Sequence, residues 1–376
     1  MMQENNERIG MNIDAIFNMH KVRFDDMDTF MMGEDGYLVQ ENPDEVHIFI
    51  NLEDIYRTIL CIKGEDSMLA LHSMDNAKKM MISNVINLAQ HYRLYFAKLR
   101  IPNKVFLYWN YNRDKDDYKN SKYIYDYRSS YDAKIGNMSP FPYLRDVITQ
   151  SLQTLQTIIT YVNEVYLITH NTIESSVIPY MFYQDQVDDK KYMNVLISRD
   201  AYDYQYALYG FYVINPKKYR VITESSLLLD YSIHCRWKKM EIDIPLNFIP
   251  TLMSILGDSN KGIPKIKSVS VSGLCKIIRD NIFNLKVTPN TSSLDIIETI
   301  FEDIETREEF HNNYHCTCIP LQYQEITPNE RFEIFSQVVD KYDDISLEFL
   351  NERFFTQYPL MIVDSKSRQL LNEGNL

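Results

Sequence analysis

An α/β fold built on a mostly parallel sheet is predicted by three features of the sequence. Short runs rich in β-branched and aromatic residues recur at 46–50, 104–110, 164–168 and 193–197, the composition expected of strands covered on both faces. Stretches with helical spacing lie between them, at 77–99 and 144–162. Strand, turn and helix repeated in that order imply parallel strands joined by right-handed crossovers. In open sheets of this kind the functional crevice lies beyond the strand carboxyl ends, which is where Asn51, Asn110, Glu174 and Asp200 fall.

Taken in order, residues 1–43 are rich in Met, Asn and Asp and read as an extension or arm with a short helix at 13–19. The first strand ends at Asn51, and Ile55, Tyr56, Ile59 and Leu60 after it have helical spacing. The second strand ends at Asn110. Residues 112–134 then turn polar, with Arg113, Lys115, Lys119, Lys122, Arg128 and Lys134 interleaved with Tyr118, Tyr123, Tyr125, Tyr127 and Tyr131, just after Tyr111. Cations mixed with stacking rings suit single-stranded nucleic acid; the alternative is a solvated surface helix, because five aspartates nearly cancel the charge. Glu174 opens a further helix, Ser198-Arg199-Asp200 follows the fourth strand, and residues 206–229 read as another strand pair. From Ser292 the chain reads as helical and acidic, then as polar loops.

The 376 residues carry a net charge of −13, and 45% of them are hydrophobic, enough for one large α/β domain or two smaller ones. No uncharged apolar run reaches the length of a membrane span, and the acidic start lacks the pattern of a signal peptide, so the expectation is a cytoplasmic protein without a membrane partner. Five scattered cysteines fit free thiols better than a disulfide framework. His311, His315, Cys316 and Cys318 have the chemistry of zinc or copper ligands at a spacing that matches no established motif; the competing reading is a loop with half-buried thiols, suggested by Asn312-Asn313-Tyr314. Glycine-based phosphate cradles and the nucleophile-elbow pattern are absent from the sequence.

One stretch reverses the sign of the chain. From Lys261 to Arg279 there are five cations (Lys261, Lys265, Lys267, Lys276 and Arg279) and no carboxylate. A helix ending at Gly257, a turn through Gly262 and Pro264, a serine-rich turn at 268–272 and a helix from Gly273 would offer unpaired backbone N–H groups to a phosphate. An ordinary helical hairpin with a solvated basic face is the alternative.

Asp258-Ser259-Asn260-Lys261-Gly262-Ile263-Pro264 resembles the G-D-S-S-D-N-I-P segment of the flap-endonuclease/5′–3′ exonuclease family, of PIN-like fold, and residues 269–278 resemble its helix-three-turn-helix. Tyr118-Lys119-Asn120-Ser121-Lys122 is similar to the Tyr-Lys-x-x-Arg of that family's helical arch. Glu174-Ser175-Ser176-Val177 stands where the family has Glu-Ala-Asp-Asp, and Ser198 to Tyr202 where it has Ser-Gly-Asp-Lys-Asp, with Gln205 matching a following Gln. Residues 346–360 resemble the tail of its phage-type exonucleases. The resemblance implies an N-terminal extension over 1–43, a nuclease-type α/β domain over 44–245 with an arch at about 111–145, and a helix-three-turn-helix with a helical C-terminal region over 246–376. It further implies DNA as partner, in 5′-flap, branched or junction form, with Lys265, Lys267, Lys276 and Arg279 on duplex phosphates and Lys119, Lys122 and Arg128 on the single strand.

The departures from the family's pattern fall on its chemistry. The family holds two divalent ions among carboxylates, and magnesium in that role needs hard anionic oxygens. Here the strand-end acids are Asn51 and Asn110, the acidic pair after Glu174 is Ser176 and Val177, and two further Asp positions are Tyr202 and Lys261. Glu174, Asp200 and Asp258 remain as a weak metal set, with Lys261 placed by the resemblance to set an ammonium among them in place of an ion. A register shift or bulge would instead present Asp203, one residue beyond Tyr202, or Glu53 and Asp54, close to Asn51. The resulting expectation is a DNA-binding, catalytically impaired homologue serving branched or 5′-ended DNA, or a phage replication or transcription assembly, with no cofactor. The alternatives are an active Mg- or Mn-dependent 5′–3′ exonuclease and a protein-binding scaffold without DNA affinity.

Overall fold

The computed structural model describes residues 43–52, 74–98, 100–110, 123, 144–159, 162, 164–170, 173–186, 189–198, 201–215, 220–222, 249–257, 263–266 and 304–339. Its strands are β1 (Glu45–Asn51), β2 (Asn103–Asn110), β3 (Val165–His170), β4 (Tyr192–Ile197), β5 (Tyr212–Asn215) and β6 (Arg220–Ile222). They form one sheet in the order β3-β2-β1-β4-β5-β6. Every pairing from β3 to β5 is parallel, and β6 closes the far edge antiparallel to β5. The predicted class is therefore the observed one, and the predicted strand pair within 206–229 is the β5–β6 hairpin.

The helices are α1 (Met74–Lys98), α2 (Leu144–Ile159), α3 (Ile178–Gln184), α4 (Ile249–Leu256), α5 (Ile304–Thr317), α6 (Ile319–Gln324) and α7 (Pro328–Val339). Short 3₁₀ segments, Ser175–Val177 and Ala201–Tyr209, follow β3 and β4. None of the described helices is long and apolar enough to cross a membrane.

Strand alternation divides the core between two faces. On one, in-register Phe49, Phe106 and Tyr166 make an aromatic row across three strands, with ring centroids 5.0 and 5.5 Å apart. Phe182 of α3 and Ile319, Ile326 and Ile334 from the C-terminal helices join that cluster. The alternation turns Val46, Ile48 and Ile50 of β1 to the other face, and all three are buried; α1 packs on β1 and β2 and α2 on β3.

The C-terminal region departs from the expected polar loops. Residues 311–317 continue α5, and α6 and α7 follow with short connections. Asn313 lies within α5 and is accommodated there by tertiary bonds. Its propensity is for turns, yet it is buried and its Nδ2 donates to Ser254 O at 2.7 Å and Pro264 O at 2.8 Å, fastening α5 to α4. At the start of α7, Thr327 and Glu330 form a capping box: the Thr327 N–H donates to Glu330 Oε2 at 2.8 Å, and the Glu330 N–H to Thr327 Oγ1 at 3.4 Å.

Candidate functional site

The strand order reverses direction between β1 and β4, which makes the carboxyl edge of those two strands the crevice of the sheet. Asn51 ends β1 and Asn110 ends β2, in register with Tyr108 and His170 respectively. Two amides thus occupy neighbouring strand ends.

Glu174 and Asp203 are carboxylates described at this edge. Glu174 follows β3, is 6% exposed and immediately precedes the 3₁₀ turn Ser175–Val177. Asp203 follows β4, is 2% exposed, and accepts a 2.5 Å hydrogen bond on Oδ2 from Ser198 Oγ, the first residue after that strand. Tyr202, which the resemblance aligns with an acid, points elsewhere: it is fully buried, and its hydroxyl accepts from Gln322 Nε2 of α6 at 3.2 Å. Asp203, rather than Tyr202, is thus the side chain hydrogen-bonded to the residue that follows β4.

The two carboxylate-bearing segments are tied to each other by Tyr206. Its hydroxyl donates to Ser176 O and accepts the Tyr180 N–H at 3.2 Å. Burial pushes this phenol well above its usual pKa, and the charge of Asp203 pushes the same way, so Tyr206 stays protonated and serves as a bridge. Gln205, singled out in the sequence, does structural work: its Nε2 donates to Tyr202 O at 3.0 Å and Thr317 O at 3.3 Å, and its Oε1 accepts the Ile319 N–H at 3.4 Å.

The basic stretch opens on a locked turn. Gly257, at the end of α4, has φ +68°, and a Cβ there would stand 2.6 Å from Ile263 O and 2.7 Å from Lys265 N. Only glycine meets both conditions. The Ile266 N–H returns to Ile255 O at 3.1 Å, and Ile263 and Ile266 are buried. Lys265 is held exposed between them. Asp200, Asp258, Lys261, Lys267, Lys276, Arg279, Lys119, Lys122 and Arg128 lie outside the described residues, as do the second helix of the helix-three-turn-helix, the predicted helix after Asn51, residues 346–360 and nearly all of the extension and arch.

The His/Cys cluster is corrected. His311, His315 and Cys316 lie on α5, with Cys318 just before α6, so this is not a loop. The thiols are buried, at 1% and 8% exposure, and burial raises the Cys318 thiol pKa. The His315 ring stacks on Tyr123 at 4.5 Å between centroids, while Cys316 packs with Ile263. The His315 ring is thus engaged by Tyr123 and the Cys316 thiol by the apolar core, rather than by a common ion. Among the described residues no three His, Cys, Asp or Glu side chains come together as a metal site.

Sequence reasoning passed over His170. It ends β3 as Asn51 and Asn110 end β1 and β2, and reading that strand two residues short, to 168, concealed the parallel.

The chain is similar in structure to phage T5 flap endonuclease. The T5 D15 protein co-crystallised with metal ions superposes with a TM-score of 0.49 at 12% identity, over 78% of this chain and 97% of that one. A T5 D15 flap endonuclease pseudo-enzyme–product complex with DNA and metal ions gives 0.47 at 12% identity, over 78% and 94%. T5 5′-exonuclease with bound zinc gives 0.47 at 11% identity, over 88% and 100%. No protein-family model matches the chain, and no curated protein matches it by sequence. A likeness of this degree to the T5 enzyme assigns no residue a role.

Proposed function

We propose that this chain is a nucleic-acid-binding protein on a flap-endonuclease-like scaffold whose phosphodiester-cutting centre has lost most of its anionic oxygens. It acts on branched or 5′-ended DNA, or as a subunit of a replication or transcription assembly. The observation that carries the reading is the chemistry of the carboxyl edge: Asn51 and Asn110 end the two neighbouring strands β1 and β2, and the Asp203 carboxylate beside β4 is already engaged by Ser198. Amide oxygens bring no charge to hold magnesium against two phosphate-bound oxygens.

Binding is assigned to the basic stretch. Lys265 is exposed on the Gly257 turn; with Lys267, Lys276 and Arg279, which follow it in the sequence, it takes the duplex phosphates, and Lys119, Lys122 and Arg128 take the single strand. Lys261 takes the place of an ion among Glu174, Asp200 and Asp258. A protein of charge −13 that binds through such a local patch is repelled from wrong approaches by the rest of its surface. Retention of labelled 5′-flap DNA should fall steeply with salt. Reversing Lys265 and Lys267 to Glu should abolish it, and unchanged affinity in that variant would refute the assignment.

A second reading, a metal-dependent 5′–3′ exonuclease, draws on one observation: Asp203 and Glu174 are both buried at the same sheet edge, on segments joined through Tyr206.

A further inference from the structure

β3 is the outer strand of the described sheet, and the outer side of its last residues is gripped by α7. The Thr169 N–H donates to Gln337 Oε1 at 2.9 Å, and Gln337 Nε2 donates to Thr169 O at 3.0 Å. A carboxamide offers a donor and an acceptor as a peptide group does, so Gln337 occupies the place of one residue of a further strand. One residue on, His170 is 9% exposed and its ring faces two partners. Nδ1 accepts the Ile173 N–H at 3.2 Å. A ring nitrogen that accepts carries no proton, which puts the proton of the neutral ring on Nε2, 3.2 Å from Glu333 Oε2. Glu333 and Gln337 are one helical turn apart and share a face of α7.

We infer that α7 sets the turn that carries Glu174, acting through His170 as a positioning residue. The link is short: Glu333 orients the imidazole, the imidazole fixes the Ile173 amide, and Ile173, 1% exposed, directly precedes Glu174. Gln337 holds the strand end from which the turn departs. This positioning role goes beyond the nucleic-acid-binding reading above and does not depend on it.

Amide hydrogen exchange at Ile173, with Leu167 inside β3 as reference, tests the positioning in the full-length chain. His170→Leu removes the acceptor and should speed exchange at Ile173 about tenfold relative to Leu167. His170→Asn, whose Oδ1 lies near the place of Nδ1, should restore slow exchange. Glu333→Ala alters an exposed carboxylate and leaves the core intact, and it should speed Ile173 exchange about threefold. Ile173 exchange that is the same in wild type, His170→Leu and Glu333→Ala would overturn the inference.

Discussion

Glu45 and Tyr206 show how single polar groups are accommodated at the two ends of the sheet. At the amino end, Glu45 has its carboxyl pulled from 4.5 to about 2, chiefly by the hydrogen bond from His47, with Lys104 2.6 Å away adding to it and burial opposing. His47 is itself fixed, since its Nδ1 faces the Gln186 amide at 3.3 Å and its ring packs on Phe106 and Tyr192. A depressed carboxyl stabilises the fold above its unfolded pKa and loses that contribution as pH falls. About 3 kcal/mol should therefore disappear between roughly pH 5 and pH 2. Urea unfolding across that range should show the slope in the wild type and a flatter one in Glu45→Gln. At the carboxyl end, Tyr206→Phe deletes the hydroxyl shared by Ser176 O and the Tyr180 N–H. Two buried backbone groups then lack a partner, which should cost about 1–3 kcal/mol in denaturant unfolding.

Elements differ in how far the sequence reveals them. The four parallel strands β1 to β4 were readable because strands buried on both faces require β-branched and aromatic runs, and α4 was readable because Gly257 marks its end. The end of α5 and the beginning of α6 were hidden by Asn312-Asn313-Tyr314, a turn-like triplet overruled by the buried bonds of Asn313 to partners about fifty residues back in the chain. The role of α7 was hidden for a related reason: Glu333 and Gln337 have the character of a solvated face, and their partners Thr169 and His170 belong to a distant strand. Gln337→Ala should cost about 1–3 kcal/mol by stranding two backbone groups. It should also bare the β3 edge, and sedimentation at rising concentration should then detect self-association absent from the wild type. Gly257→Ala forces a Cβ onto Ile263 O at a positive φ and should cost about 1–3 kcal/mol or more. Because that turn presents Lys265, the variant should also retain 5′-flap DNA less well at a temperature where both proteins are folded.

At the scale of the whole molecule, the parallel sheet and its carboxyl-edge crevice followed from the sequence, since crossover connections dictate both. The site was legible only in part. Glu174 follows β3, Asp203 bonds the residue after β4, and Tyr202 belongs to the core. A one-residue choice of this kind depends on where a 3₁₀ segment begins, and residue types alone do not encode that. If Lys261 neutralises the remaining acids, magnesium should leave the melting temperature unchanged, since an ion that binds only the native state raises it by mass action. The most direct test of the lost-centre account is incubation of the protein with labelled 5′-flap DNA in magnesium or manganese, scored for both retention and cleavage. The account predicts salt-sensitive retention of intact DNA. Cleavage that disappears in Asp200→Ala would contradict it and establish an active nuclease.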